Sequence, residues 1–304
     1  MRRFSPMATM LAVVIAYAIC FSAIKIGLAY APPLFFGALR ALIGGATVLA
    51  VLRFLDLPLW PERKLWPLIL AVALSATTIN YAAMFLSPGR TGAGIASVLG
   101  NIQPLFIIIM AAIFLGERLS KISLLALILS SIGVVLISSP AFWGPSAYGL
   151  SGPILAVVAS VGAAGGSILM KYLGNSAVVL SVTAWQFIIG SLPLFVFSRL
   201  TESPIYSSMI NYEFIDILFL LALFGTAFGS VAWYLLIQRH EVSQLSLSFF
   251  LVPVFGLGIA LMLGERLHRV EILGAVVILI AVLASLLSQM NLKTTLAKAD
   301  YKLQ

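Results

Sequence analysis

Two cations, Lys25 and Arg40, stand inside apolar runs of this chain. A charge so placed costs roughly 2.5–3.5 kcal/mol on insertion scales and needs a partner, an interface or a task. Arg40 is near enough to one end of its run to snorkel towards headgroups, which favours a structural or gating role; a solute carboxylate is the alternative partner. Lys25, also near a run end, reads as an interfacial anchor. Gln186 holds the place in the second half of the chain that Arg40 holds in the first. Glu117 with Arg118, and Glu265 with Arg266, open short connections. They are expected to pair locally and pin helix ends, a charge-pair gate being the sharper alternative.

The other candidates are uncharged. Thr77, Tyr81 and Phe85 recur every four residues, and Thr226, Ser230 and Trp233 or Tyr234 form a matching row, so each set shares one helical face. Tyr17, Phe21 and Ser167 extend such a wall, as do Ser97 and Asn101 on one run and Ser246 and Phe250 on its counterpart. Pro104 and Pro253 deprive the carbonyls of Gly100 and Phe249 of helical partners, a defect tolerated where a helix lines a cavity. The chemistry on offer is hydrogen bonding and stacking around an amphipathic small molecule. Plain packing competes with this reading for any single aromatic residue, and for Asn101 a tie between two helices stands level with binding. Catalysis is not expected, because no nucleophile with a base and no His-Glu-x-x-His set is present. No cofactor or metal is implied either.

Absences sharpen the expectation. Every Asp and Glu, and both His240 and His268, fall at run ends or in connections. Proton relays employ carboxylates or histidines within the membrane, so facilitated diffusion or exchange is favoured over strong ion coupling.

These side chains need elements to hold them, and composition supplies the class. Of 304 residues 62% are hydrophobic and 9% charged, with mean hydropathy +1.12, a balance foreign to soluble domains. The net charge of +8 comes from Lys and Arg set singly or in pairs beside apolar runs, which argues against nucleic acid as a partner. A lone cysteine, Cys20, excludes a disulfide framework and reads as packing. Ten runs have spanning length, predicting an all-α membrane protein with the lipid bilayer as its surroundings. The first five are 7–30, 34–52, 65–86, 92–115 and 122–137; the second five are 149–170, 178–197, 214–237, 243–263 and 272–288. The first run is longer than a signal-peptide core and belongs to the repeat, so it is kept as a span. Twelve of the 18 Lys and Arg lie on the N-terminal side of the membrane and four on the other, which predicts both termini in the cytoplasm.

The runs form two copies, 7–138 and 149–288. Leu-Gly-Glu-Arg-Leu occurs at Leu115 to Leu119 and again at Leu263 to Leu267. Lys25 precedes Arg40 by the same fifteen residues that separate Lys171 from Gln186, and Arg90 matches Arg239. Gly94, Ser97, Asn101 and Pro104 share their spacing with Ser243, Ser246, Phe250 and Pro253. Pro104 lies thirteen residues before Glu117 but Pro253 only twelve before Glu265, so the ninth span is expected to be bulged or shorter. Five spans per copy is an odd number, so the second copy is inverted, an architecture of secondary transporters. Small residues at Gly162-x-x-x-Gly166 and Gly225-x-x-x-Gly229 are expected to let helix backbones approach closely.

The Lys25 and Arg40 pair around Pro32-Pro33, the Trp185-Gln186 counterpart and the two Pro-to-Gly-Glu-Arg segments resemble the EamA-domain branch of the drug/metabolite transporter superfamily, over nearly the whole chain. The resemblance implies a ten-helix carrier with a central cavity lined by spans one, three, four, six, eight and nine, typically exporting amino acids or other small metabolites. A prokaryotic inner membrane is the expected location and a small molecule the expected partner; a homodimer is left open. A non-transporting structural or receptor-like membrane protein is the alternative, though inverted duplication has no evident use there.

Overall fold

The computed structural model describes residues 5–87, 102–118, 120–139, 151–174, 178–203, 211–262 and 268–302. The described chain is almost wholly helical, without strands. We number its rods α1 (Pro6–Gly27), α2 (Pro33–Phe54), α3 (Arg63–Leu86), α4 (Gln103–Leu115), α5 (Lys121–Ser138), α6 (Ser151–Lys171), α7 (Val179–Thr201), α8 (Tyr212–Arg239), α9 (Val242–Ile259) and α10 (Arg269–Lys302). Six of them (α2, α3, α6, α7, α8 and α9) are long and apolar enough to cross a membrane, with shorter apolar helices in α1, α4 and α5. Proline at a first or second helical position opens α1, α2 and α4, where its missing N–H costs nothing.

Large apolar side chains face outwards along these rods, among them Leu11, Ile15 and Ile19 on α1, Leu124, Ile128 and Ile132 on α5, and Ile280, Leu283 and Leu287 on α10. Water would not tolerate apolar surface on that scale, whereas lipid does. The protein is a multi-pass membrane protein.

Packing relations recur five rods apart. α1 lies on α8 and α9 as α6 lies on α3 and α4; α2 lies on α8 as α7 lies on α3; and α2 pairs with α7, α4 with α9, and α5 with α10. The contacts match in detail. A Cβ at Gly190 would come within 2.5 Å of Thr77 and 2.8 Å of the Ala73 carbonyl, and one at Gly44 would collide with Thr226 and approach the Ala222 carbonyl. A Cβ at Gly162 or Gly166 would strike the Ser75 carbonyl or Ala76 of α3, and one at Gly225 or Gly229 would strike Cys20 or Tyr17 of α1. Gly162 and Gly166 therefore meet α3 at its backbone, whereas Gly225 and Gly229 seat side chains of α1, and Cys20 is buried packing.

Both α3 and α8 contain a π-helical stretch at their centres, Ala73–Ile79 and Leu221–Phe228. Such stretches leave a helix with irregular carbonyl pairing and are frequent at functional sites. In α9 the departure is of the opposite kind, a tight 3-10 turn at Leu247–Phe250 before Pro253.

Candidate functional site

Arg40 turns into the bundle rather than out to headgroups, and only 4% of its surface is exposed. The snorkelling expected of it is not what the fold uses. Its Nε donates to Thr226 Oγ1 at 2.8 Å, and Tyr81 Oη shares that hydroxyl at 3.1 Å. The guanidinium carbon sits 5.1 Å from the Tyr81 ring centre and 6.0 Å from that of Phe85, within reach of cation–π attraction. Nη1 has no hydrogen-bond partner. Glycine at 225 lets the guanidinium approach the α8 backbone, since a Cβ there would lie 2.9 Å from Nη2.

A polar and aromatic row continues from Thr226 along α8. Tyr17 lies against Gly229, beside Ser230 of α8, and stacks on Phe249, ring centres 5.6 Å apart. Phe249 in turn lies 4.6 Å from the Trp233 ring, whose Nε1 donates to Ser167 Oγ at 3.0 Å. Tyr234 Oη accepts from Gln186 Nε2 at 3.5 Å, while Gln186 Oε1 is buried without a partner. Thr226 and Trp233 are seven residues apart, which spans about 10 Å of helix. Of the residues expected to line a site, Tyr17, Tyr81, Ser167, Thr226, Ser230, Trp233 and Tyr234 are thus brought together. The resemblance assigns no lining to the second span, yet α2 supplies the one cation of the row.

Other expected lining residues are placed elsewhere. Phe250 belongs to a separate apolar core, with Ile108, Leu127, Ile278 and Val282. The 3-10 turn advances each residue by about 20° more than an α-helix does, so Phe249 rather than Phe250 meets Tyr17 and Trp233. Ser246 is buried, with its hydroxyl spent on the Ser243 carbonyl of its own helix. Thr77 is buried against Gly190 of α7 with its hydroxyl unpartnered, because the π stretch turns it off the face of Tyr81 and Phe85. Ser97, Asn101, Glu265 and Arg266 lie outside the described residues, as do the side chains of Phe21 and Lys25.

Glu117 pins helix ends, though not by pairing with Arg118, which is exposed. Gly116, at φ 67°, ends α4 in the left-handed conformation, and Glu117 then reaches the start of α9. There its carboxylate accepts from Val242 N at 3.0 Å, Ser243 N at 2.9 Å and Ser243 Oγ at 2.6 Å. Two further clamps were not anticipated. Glu202, at the end of α7, accepts from the N–H groups of Leu34 and Phe35 at the start of α2. Lys171, closing α6, donates to the Ile237 and His240 carbonyls at the end of α8. Charge at a run end signalled each of them; only the fold gives the partner helix.

The arrangement offers one buried cation with an unmet donor, several hydroxyls and three large aromatic faces, a surface for binding a small molecule in orientation. Among the described residues no group of His, Cys, Asp and Glu could hold a metal.

Comparison with known proteins gives the family and the fold. The EamA-like transporter family matches residues 5–139 and 150–287. An uncharacterised transporter of Archaeoglobus fulgidus is 28% identical over 275 residues, 88% of this chain and 93% of its own. A probable amino-acid metabolite efflux pump of Salmonella typhimurium is 30% identical over 278 residues, 88% of this chain and 90% of its own; the Escherichia coli protein of the same description gives the same figures. A crystal structure at 16% identity superposes with a TM-score of 0.78, covering 95% of this chain and 99% of that one, so the fold is shared. Two matched segments spanning nearly all of the chain, on a bundle whose packing repeats five rods apart, make it a member of the EamA-like transporter family.

Proposed function

We propose that the chain is a ten-span exporter of amino acids or related amphipathic solutes. It is built as two inverted five-helix repeats, with both termini on the cytoplasmic side of a prokaryotic inner membrane, and works by alternating access. The observation that carries this reading is the buried row from Arg40 to Ser167, which lies where α1, α2, α3, α6, α8 and α9 converge. Polar groups inside a membrane bundle are costly and tend to mark solute paths. The recurrence of packing relations five rods apart supports the inverted repeat, and two relatives described as probable amino-acid metabolite efflux pumps support the solute class.

In the mechanism that follows, the paired π stretches of α3 and α8 are the deformable parts, because their carbonyls can exchange partners at small cost. The glycines of α6 let it pass close to the α3 backbone, while Gly225 and Gly229 of α8 seat the Cys20 and Tyr17 side chains of α1. Cysteines introduced at Ser5, Ala147, His268 and Asp300 test the topology: membrane-impermeant labelling is expected at Ala147 and His268 only, and labelling of His268 from the cytoplasm contradicts inversion. Liposomes holding the purified protein and loaded with a cell metabolite extract test transport. Selective loss of amphipathic solutes is expected, and loss no faster than from empty liposomes sinks the transporter reading.

A further inference from the structure

Arg40 is the one feature of the row that solute binding in general does not explain. A guanidinium carries five N–H donors and no acceptor, and it is nearly always buried with an anion opposite it. Here Nε has only the neutral Thr226 hydroxyl and Nη1 has nothing. None of the ion pairs among the described residues includes Arg40. No Asp or Glu stands near the middle of any apolar run from which to meet it. A merely structural cation would be matched within the protein; this one is matched in part, with Tyr81 and Phe85 holding its face and Thr226 fixing its tilt.

We infer that Arg40 recognises the carboxylate of the solute, and that the solute is an amphipathic organic anion whose apolar body lies along Tyr17, Phe249 and Trp233. This rests on the reading of the row as the solute path. The same lack of carboxylates leaves an α-ammonium group only neutral acceptors, the Gln186 Oε1 and hydroxyls, and ring faces. A carboxylate without a free amine therefore suits the row better than a zwitterion, and a neutral amide suits it least. The charge also bears on direction. A monoanion leaving a compartment that is negative inside gains roughly fortyfold in its equilibrium ratio per 100 mV, so export needs no proton relay, and no carboxylate for one stands in the spans.

The test is equilibrium binding to the detergent-purified full chain of three ligands that share a phenyl body: 3-phenylpropionate, phenylalanine and 3-phenylpropionamide. The expected order of affinity is anion, zwitterion, amide, with the anion at least tenfold tighter than the amide, the scale of a hydrogen-bonded charge. Arg40→Gln should erase that ratio by weakening the acid far more than the amide, and Arg40→Lys should keep part of it. A role in packing alone would weaken acid and amide together. Thr226→Val supplies a second variant that leaves the cation in place but frees its tilt, and should narrow the ratio. Equal affinities in the unmodified protein, a ratio that survives Arg40→Gln, no binding of any of the three, or phenylalanine bound above 3-phenylpropionate would each overturn the proposal. Failure of the extract-loaded liposomes with this ratio intact removes the transporter reading and leaves the anion site standing; transport with no ratio does the reverse.

Discussion

Removal of the Glu117 carboxylate probes how the row is held. It accepts three hydrogen bonds at the first turn of α9, two from backbone N–H groups and one from the Ser243 hydroxyl. All three are charge-assisted, and the carboxylate sits at the positive end of a helix dipole. Glu117 is half-buried, so in Glu117→Ala water reaches part of what is lost; the cost is about 2–3 kcal/mol rather than the sum of three buried bonds. Ser243→Ala removes one bond at a buried site, about 1 kcal/mol. Because the two share that bond, a double-mutant cycle should show coupling of about 1 kcal/mol. With the scaling of soluble domains, Glu117→Ala should lower the Tm of the detergent-solubilised protein by roughly 4–8 °C. Function should follow, since the turn that Glu117 anchors leads directly into the 3-10 segment bearing Phe249. A looser Phe249 should raise KM for apolar solutes more than for small polar ones. Glu117→Ala with an unchanged Tm and no coupling to Ser243 would refute the clamp and return this residue to the gate expected as its alternative.

Three other outcomes are expected. Gly225→Val forces side-chain atoms into Cys20 and Arg40 and should destabilise by about 1–3 kcal/mol, whereas Gly256→Ala, with open space around its Cβ, should be neutral or stabilise by up to about 1 kcal/mol; thermal unfolding of both separates close approach from mere helix propensity. Trp233→Ala should weaken apolar solutes selectively, with Trp233→Phe keeping the ring contact to Phe249 but losing the Ser167 bond, and Asn101→Ala should weaken binding by roughly five- to 150-fold if that amide meets a buried solute group; solute titrations on purified variants decide both. Collapse of the proton gradient should leave solute exchange across vesicles largely intact, and an exchange rate that vanished with it would show that a coupling group exists.

Much of this was legible in the sequence because membrane helices write their length and lipid face directly into composition. One pair of close helix contacts was legible as well: Gly44 and Gly190 carry the same spacing that relates Arg40 to Gln186, and each meets a threonine of a neighbouring helix. The orientation of individual side chains was less so. Periodicity presumes 3.6 residues per turn, and where α9 tightens at Leu247–Phe250 it points to Phe250 when Phe249 faces the row. In α3 the π stretch likewise removes Thr77 from the face it shares with Tyr81 on an ideal helix. Arg40 was placed by proximity to the end of its run, which measures depth but not azimuth; burial against Tyr81 and Thr226 is a property of azimuth. The clamps at Glu117, Glu202 and Lys171 join residues 66 to 168 positions apart, a distance no local pattern reports.

Trans-stimulation tests the central claim most directly. In liposomes holding only the purified protein, labelled 3-phenylpropionate outside should enter several-fold faster when unlabelled 3-phenylpropionate is inside, because a loaded carrier returns its site more readily than an empty one. Arg40→Gln should abolish the effect. Entry that is indifferent to the inner solute, or no faster than into protein-free liposomes, would contradict an alternating-access carrier built around this row.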